Sequence, residues 1–316
     1  MSQTSERRQT HAWSGPIVVG IGEVLFDCFD DRKVLGGAPV NFAFHANQLL
    51  RVTGGRGVPV SRVGTDYLGQ QLLAELTARG LATDYIQSDP QLATGSVVVT
   101  VDSQGQPEYE ISQNAAWDAL ESTPDFLQLA KRCDAVCFGT LAQRSPQSRA
   151  AIQEFLAIAE NALRVFDLNL RQAFYDVQII EDGLQRANVV KLNEEELDEV
   201  WRLLDFKTAE DQAVDAKVFY LCQQYQLQAL ALTRGSQGTL LFAENERFVG
   251  APGNYAPVEN ADSVGAGDAC CAAMVVGLLH KRPMEQVLSL ANEVGAYVAS
   301  QSGATPELPE ATLERA

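Results

Sequence analysis

The sequence predicts an α/β fold: a mostly parallel sheet with helices on both faces and a small β-stranded insert. Three observations carry this. Short apolar runs of strand length recur along the chain. Segments with helical periodicity fall between them. One stretch, residues 94–112, alternates as strands do around the turn Ser103-Gln104-Gly105-Gln106-Pro107.

Taken in order, residues 16–25 read as a first strand and 38–50 as a helix. Residues 58–63 form a strand and 68–79 a helix. Strands follow at 135–138, 164–167, 189–192 and 229–233, with helices at 148–161, 194–204 and 214–225 between or after them. Beyond Asp268 the chain is mostly helical, over 269–279 and 284–301. The β-α-β-α rhythm argues for parallel strands buried on both faces. Residues 27–35 are short and charged and break it. With no internal repeat and no low-complexity linker, the expectation is one domain over residues 15–316. Segments 27–36 and 94–112 are inserted in it, and polar residues 1–14 form a flexible tail.

Of 316 residues, 46% are hydrophobic and 21% charged, which suits one large α/β domain. The formal net charge of −17 repels nucleic acid and anionic lipid, so neither is an expected partner. A polyphosphate ligand then needs a local patch of donors. No apolar run approaches a membrane span or a signal peptide, which predicts a cytoplasmic protein. The six cysteines, two of them adjacent, contain no Cys-x-x-Cys pair, and the three histidines lie far from them in sequence. They read as reduced thiols rather than a metal site.

The strongest chemical signal is Asp262-Ser263-Val264-Gly265-Ala266-Gly267-Asp268, which runs into the small-residue stretch Ala269-Cys270-Cys271-Ala272-Ala273. Its glycines allow a tight turn, and the following helix aims unpaired N–H groups at a ligand. That is an anion hole suited to a phosphoryl group in transit, with Asp268 beside it to take a proton. The same residues also suit an ordinary helix cap. A second signal is Gly36-Gly37-Ala38-Pro39-Val40-Asn41, which with Asp27 offers amide and carboxylate groups to neighbouring hydroxyls. A capped turn into a helix explains it equally.

Asn193-Glu194-Glu195-Glu196 follows a strand, where ligands of parallel sheets bind. Glu196 there can hold water around Mg²⁺, or the run can be an acidic first helical turn. Thr233-Arg234-Gly235-Ser236-Gln237-Gly238 is another glycine-rich turn after a strand. Arg171, in Asp167-Leu168-Asn169-Leu170-Arg171, is a candidate phosphate or substrate clamp or a surface ion pair. No Gly-x-x-x-x-Gly-Lys-Ser/Thr occurs, which excludes a P-loop kinase. Gly20-Ile21-Gly22-Glu23 lacks the third glycine and the following helix of a dinucleotide site.

In this order the motifs resemble those of the ribokinase-like (PfkB) carbohydrate kinases, from about residue 16 to 306. The carriers are Gly36-Gly37…Asn41, Asn193…Glu196, Thr233…Gly235…Gly238 and Asp262…Gly265-Ala266-Gly267-Asp268. The resemblance implies a three-layer αβα sandwich whose β insert is a lid over the sugar. It implies an ATP-dependent kinase with Asp268 as base, Gly265, Ala266 and Gly267 as the anion hole, and Arg171 assisting. Asp27, Gly36, Gly37 and Asn41 would hold the sugar. Asn193, Thr233, Gly235, Gly238 and Asn292 would line the ATP site. Glu196 would hold Mg²⁺ through water, and Asp262 would serve a K⁺ ion. A homodimer through the lid is a further implication.

Among branches of the family it looks most like bacterial fructokinases. Ala38-Pro39-Val40 replaces the Lys-Gly usual in ribokinases, and residues 141–144 lack a carboxylate. The 2-keto-3-deoxygluconate kinases share the Asp-x-Asn-x-Arg pattern and remain competitors. A catalytically silent, sugar-sensing relative is the reading from another class.

Overall fold

The computed structural model describes residues 13–29, 32–101, 107–206 and 213–316. Residues 1–12 of the expected tail and 103–106 of the expected turn lie outside the described residues. The chain opens with β1 (Ile17–Ile21), β2 (Leu25–Cys28), β3 (Lys33–Gly36), α1 (Ala38–Leu50), β4 (Arg56–Gly64), α2 (Tyr67–Ala78) and β5 (Ile86–Asp89). β6 (Gly95–Val101), β7 (Pro107–Ile111), α3 (Pro124–Arg132), β8 (Ala135–Phe138), α4 (Pro146–Ile158), β9 (Leu163–Asp167) and α5 (Val177–Arg186) follow. Then come β10 (Val189–Asn193), α6 (Glu194–Leu203), α7 (Val214–Gln224), β11 (Ala229–Thr233), β12 (Thr239–Ala243) and β13 (Glu246–Val249). α8 (Ala266–Leu279), α9 (Met284–Ala299) and α10 (Glu310–Leu313) complete the chain.

Nine strands form one sheet in the order β13-β12-β11-β10-β9-β8-β1-β4-β5. From β11 to β5 every pairing is parallel, while β12 and β13 add antiparallel at one edge. Two apolar cores sandwich it. One holds Phe126, Phe155, Ile180, Leu197 and Leu221 of α3 to α7; the other holds Phe42 and Leu49 of α1, Met274 of α8 and Val287 of α9. This is the mixed α/β, three-layer arrangement expected. The inner strands carry near-continuous Val, Ile and Leu because both faces are covered. α8 is buried along Ala269–Gly277, wedged between α1 and α9, so it needs small residues and shows no polar stripe.

The second sheet is small, in the order β3-β2-β6-β7. It corrects one expectation. Residues 16–25 are not one strand: the chain leaves the main sheet after Ile21 and enters the small sheet at Leu25. The break is at Gly22, whose φ of 149° suits glycine and whose N–H donates to Val60 O (3.0 Å). The apolar run continues across the break because both sheets bury it, so periodicity could not reveal it.

Along α1 runs a buried polar seam of Asn41, His45 and Gln48, spaced four and three residues apart and so on one face. His45 Nε2 donates to Ala304 O (2.9 Å), Gln48 Nε2 donates to Pro306 O (3.2 Å), and Gln48 Oε1 accepts from Leu308 N (2.8 Å). Burial holds His45 down to about 4 from its ordinary 6.5. Between those values unfolding takes up a proton, so this histidine's contribution to stability is lost as pH falls through that window. We predict that wild type loses about 2 kcal/mol more than His45→Gln on going from pH 7 to pH 5. Glutamine keeps the donor to Ala304 without the titration, and urea unfolding at both values checks this. Equal losses would contradict it.

Candidate active site

Strand order reverses between β1, followed outward by β4, and β8, followed by β9. In open α/β sheets the crevice beyond the strand C-termini at such a reversal is where ligands bind. Five of the named functional groups lie at those ends: Asn193 closes β10, Thr233 closes β11, Arg171 follows β9, and the N-termini of α1 and α8 carry Asn41 and Asp268.

Gly265 is the N-cap of α8 at φ 75°, and a Cβ there would come within 2.6 Å of Ala304. Only glycine fits a left-handed cap pressed so closely on another segment. No side chain caps α8, so its first-turn N–H groups remain for a ligand. Gly37 plays the same part for α1, at φ 108° with Glu23 O 2.6 Å from a Cβ position. Asp268 sits in the first turn of α8, partly open to the cleft, and accepts a hydrogen bond from Asn41 Nδ2 (2.9 Å).

Burial pushes the Asp268 carboxyl up to about 6, and Asp167 raises it further. Lys191, the Asn41 bond and Arg171 pull it back. Behind Asp268 lies a buried ion pair: Lys191 Nζ donates to both oxygens of Asp167 (2.8 and 3.0 Å). Burial alone would lower the ammonium, but Asp167 outweighs it and keeps Lys191 protonated. Lys191 Nζ lies 3.4 Å from where a Cβ on Gly267 would be. A fixed cation therefore backs the helix terminus.

Two more carboxyl groups face the same region. Glu23, 4% exposed after β1, is pushed up to about 7 by burial, with N–H donors of its own residue and Ala38 lowering it and Asp268 raising it. Burial pushes Asp27 on β2 up to about 6, against Arg171. Asp27 Oδ2 lies against Gly36, 2.8 Å from a Cβ position there. Arg171 is exposed on its loop and acts on Asp27, Glu23 and Asp268 together.

Beside this region is a cleft of about 660 Å³ that gathers Asn193, Thr233, Gly235, Gly238, Ala266, Gly267 and Asn292. Several of these are already engaged. Asn193 and Glu196 form a reciprocal cap: Asn193 Oδ1 accepts from Glu196 N (2.8 Å) and Glu196 Oε2 accepts from Asn193 N (2.9 Å). Glu196 Oε1 also accepts from Leu170 N (2.9 Å), tying the Arg171 loop to α6. Asn292 Nδ2 donates to Ala251 O (3.0 Å). Asp262 accepts from Val264 N and Gly303 N (both 3.0 Å).

Lys191 and His45 escaped the motif reading, and Glu23 and Asp167 stood in motifs that gave them no role. A signal existed for two of them: Asp167 and Lys191 are charges inside or closing apolar strand runs, which a buried partner must explain. The six cysteines are free thiols, buried or half-buried, as expected. Cys137 and Cys271, remote in sequence, meet Asp167, with ligand atoms all within 4.8 Å of one another.

An uncapped helix N-terminus, the Asp268 carboxyl beside it and a buried Lys191 ammonium thus lie together at this end of the sheet. The chain matches the pfkB family of carbohydrate kinases over residues 18–311 and belongs to that family. A fructokinase of Escherichia coli is 28% identical over 309 residues, covering 92% of this chain and 95% of that protein. The ATP-bound fructokinase structure from Xylella fastidiosa superposes with a TM-score of 0.81 at 22% identity, over 95% of this chain and 97% of the other. A Vibrio cholerae fructokinase with fructose, ADP and calcium has a TM-score of 0.76 at 23% identity, over 95% and 98%. Among the described residues, no helix is long and apolar enough to cross a membrane.

Proposed function

We propose that this carbohydrate kinase transfers the γ-phosphoryl group of ATP to D-fructose, giving fructose 6-phosphate. The observation that carries the reading is Asp268: a carboxylate near pKa 6, held by Asn41 at an uncapped helix N-terminus between the two halves of the site. ATP fits the 660 Å³ cleft, with its phosphates towards Gly267. The sugar lies under the small sheet, which acts as a lid, against Asp27, Gly36, Gly37 and Asn41.

As the sugar hydroxyl attacks phosphorus, its proton passes to Asp268, and the bond to the ADP oxygen breaks. A base of pKa about 6 is ionised at neutral pH yet still basic enough to help. The first-turn N–H groups of α8 and the ammonium of Lys191 meet the growing charge on the phosphoryl oxygens. Mg²⁺ entering with the nucleotide would neutralise phosphate charge. Asn193 at the cleft and Glu196 beside it would hold the ion, and since both Glu196 oxygens already accept N–H donors, Glu196 would do so through a metal-bound water. Asp262 has the same reserve for K⁺ beside the Gly265 turn. An unchanged rate when tetramethylammonium replaces K⁺ would remove that site.

Fructose is favoured over a sugar acid by charge. Asp27, Glu23 and Asp268 gather around the one guanidinium of Arg171, and such a pocket disfavours another carboxylate. The relatives named as fructokinases point the same way.

Asp268→Asn should lower kcat by about 10²–10⁴ with little change in KM for ATP, because the N–H donors remain. A folded variant keeping more than about a tenth of the rate would remove Asp268 as base. A coupled ADP-release assay across sugars checks the substrate. We expect kcat/KM for fructose to exceed that for ribose and 2-keto-3-deoxygluconate by about tenfold or more. A rival equal to fructose would overturn the sugar and leave the kinase. No turnover with any sugar would favour a silent, sugar-sensing protein.

A further inference from the structure

We propose that Cys137, Cys271 and Asp167 form a site for a soft divalent cation such as Zn²⁺ or Cd²⁺, and that its occupation switches the kinase off. The three residues come from different elements: Cys137 from β8, Asp167 from the end of β9, and Cys271 from α8, one turn beyond Asp268. Their two sulfurs and one carboxylate oxygen lie within 4.8 Å of one another, and all three residues are buried. Among the described residues this is the one group of His, Cys, Asp or Glu side chains with metal-ligand spacing.

The geometry is close to what such an ion needs. Tetrahedral zinc has bonds of about 2.3 Å to sulfur and 2.0–2.2 Å to oxygen, which puts its ligand atoms about 3.3–3.8 Å apart. Inward shifts of about an ångström per group bring these three into place. The strands hold two of them in register, since β8 pairs with β9 through Cys137↔Val165 and Phe138↔Phe166. A fourth position falls to water: Cys137 and Asp167 line a small cavity with Glu23, Pro39, Thr140 and Asn169, next to the sugar side of the site.

Charge and softness agree. On binding, two S–H bonds break, two metal–sulfur bonds form, and two protons leave to solvent. One divalent cation replaces two protons, so the buried cluster of Asp167 and Lys191 keeps its net charge, which a low-dielectric interior demands. Thiolates select soft cations, and Mg²⁺ prefers an oxygen shell, so the metal that accompanies ATP does not compete.

Inhibition follows from what Asp167 otherwise does. Its oxygens hold Lys191 Nζ at 2.8 and 3.0 Å, behind Gly267 and Asp268. A metal takes an oxygen from the ammonium and so loosens Lys191 from its place behind Gly267 and Asp268. The binding stands independently of the kinase mechanism, whereas the inhibition rests on the proposed role of Asp268.

The test uses the full chain, reduced with a phosphine rather than a thiol. Cd²⁺ is titrated without nucleotide, following thiolate-to-cadmium absorbance in the ultraviolet together with equilibrium dialysis. Wild type should bind one Cd²⁺ with a saturable thiolate band, and Cys137→Ala and Cys271→Ala should each weaken binding by at least about 100-fold. Turnover, measured with Mg²⁺ and ATP in large excess, should fall in wild type as Cd²⁺ rises. Both variants, checked for fold by thermal unfolding, should keep their metal-free rate at the Cd²⁺ level that stops wild type. No one-equivalent band in wild type overturns the site, whatever the variants do. A band that survives both substitutions overturns it too. Binding at these cysteines with unchanged turnover overturns the switch alone.

Discussion

The seam of buried polar side chains on α1 is the constraint on which the site depends. Its first member, Asn41, fixes the Asp268 carboxylate at 2.9 Å across 227 residues of chain. His45 and Gln48 then pin residues 304–308, and Ala304 packs under Gly265, the cap of α8. One helix thus holds the proposed base, Asp268, and the segment beneath the Gly265 turn that caps α8. The N-terminal end of the helix, which carries Asn41, adjoins Gly36 and Gly37, where the sugar is proposed to sit. The His45–Ala304 and Gln48–Leu308 bonds are buried, so losing one leaves a polar group unpaired at about 1–3 kcal/mol, while the Asn41–Asp268 and Gln48–Pro306 bonds are half-buried. This makes the geometry specific rather than merely stable.

The second constraint is electrostatic. A protein of net charge −17 must bind a polyphosphate, and the site meets this locally. In the proposed mechanism it draws on the N–H groups of α8, the ammonium of Lys191 and the guanidinium of Arg171. The counter-charges that keep Lys191 protonated also raise Asp268 towards a useful basicity. Protein groups oriented in advance do this without reorganisation during the reaction. Burial raises three carboxyl groups, Glu23, Asp27 and Asp268, above their ordinary values, and a neighbouring carboxylate adds to it for Glu23 and Asp268.

Local regularities were legible in the sequence. α1, β8 and β11 fall where the apolar periodicity puts them, and glycine motifs marked the turns at Gly37 and Gly265. What was not legible depended on distant partners. The break at Gly22 lies inside an apolar run that two different sheets bury, and β12 and β13 were passed over as the sequel to a turn. Lys191 and Asp167 are 24 residues apart, and Cys137 and Cys271 sit on different elements. Periodicity reports which face of an element is buried and is silent on what it meets. For Asn193 and Glu196 both readings of the sequence hold together, since the cap is formed at the rim of the cleft.

The claim at the centre of this account is that the Asn41 bond tunes Asp268. The acid limb of kcat/KM against pH reports carboxyl groups of the free enzyme. It should inflect near 6 in wild type, as a property of the coupled carboxyl cluster. The Asn41 bond favours the ionised form of Asp268, so Asn41→Leu should move that limb upward, by about one unit for a lost hydrogen bond to a charged group. A limb at the same pH in wild type and Asn41→Leu would contradict the account.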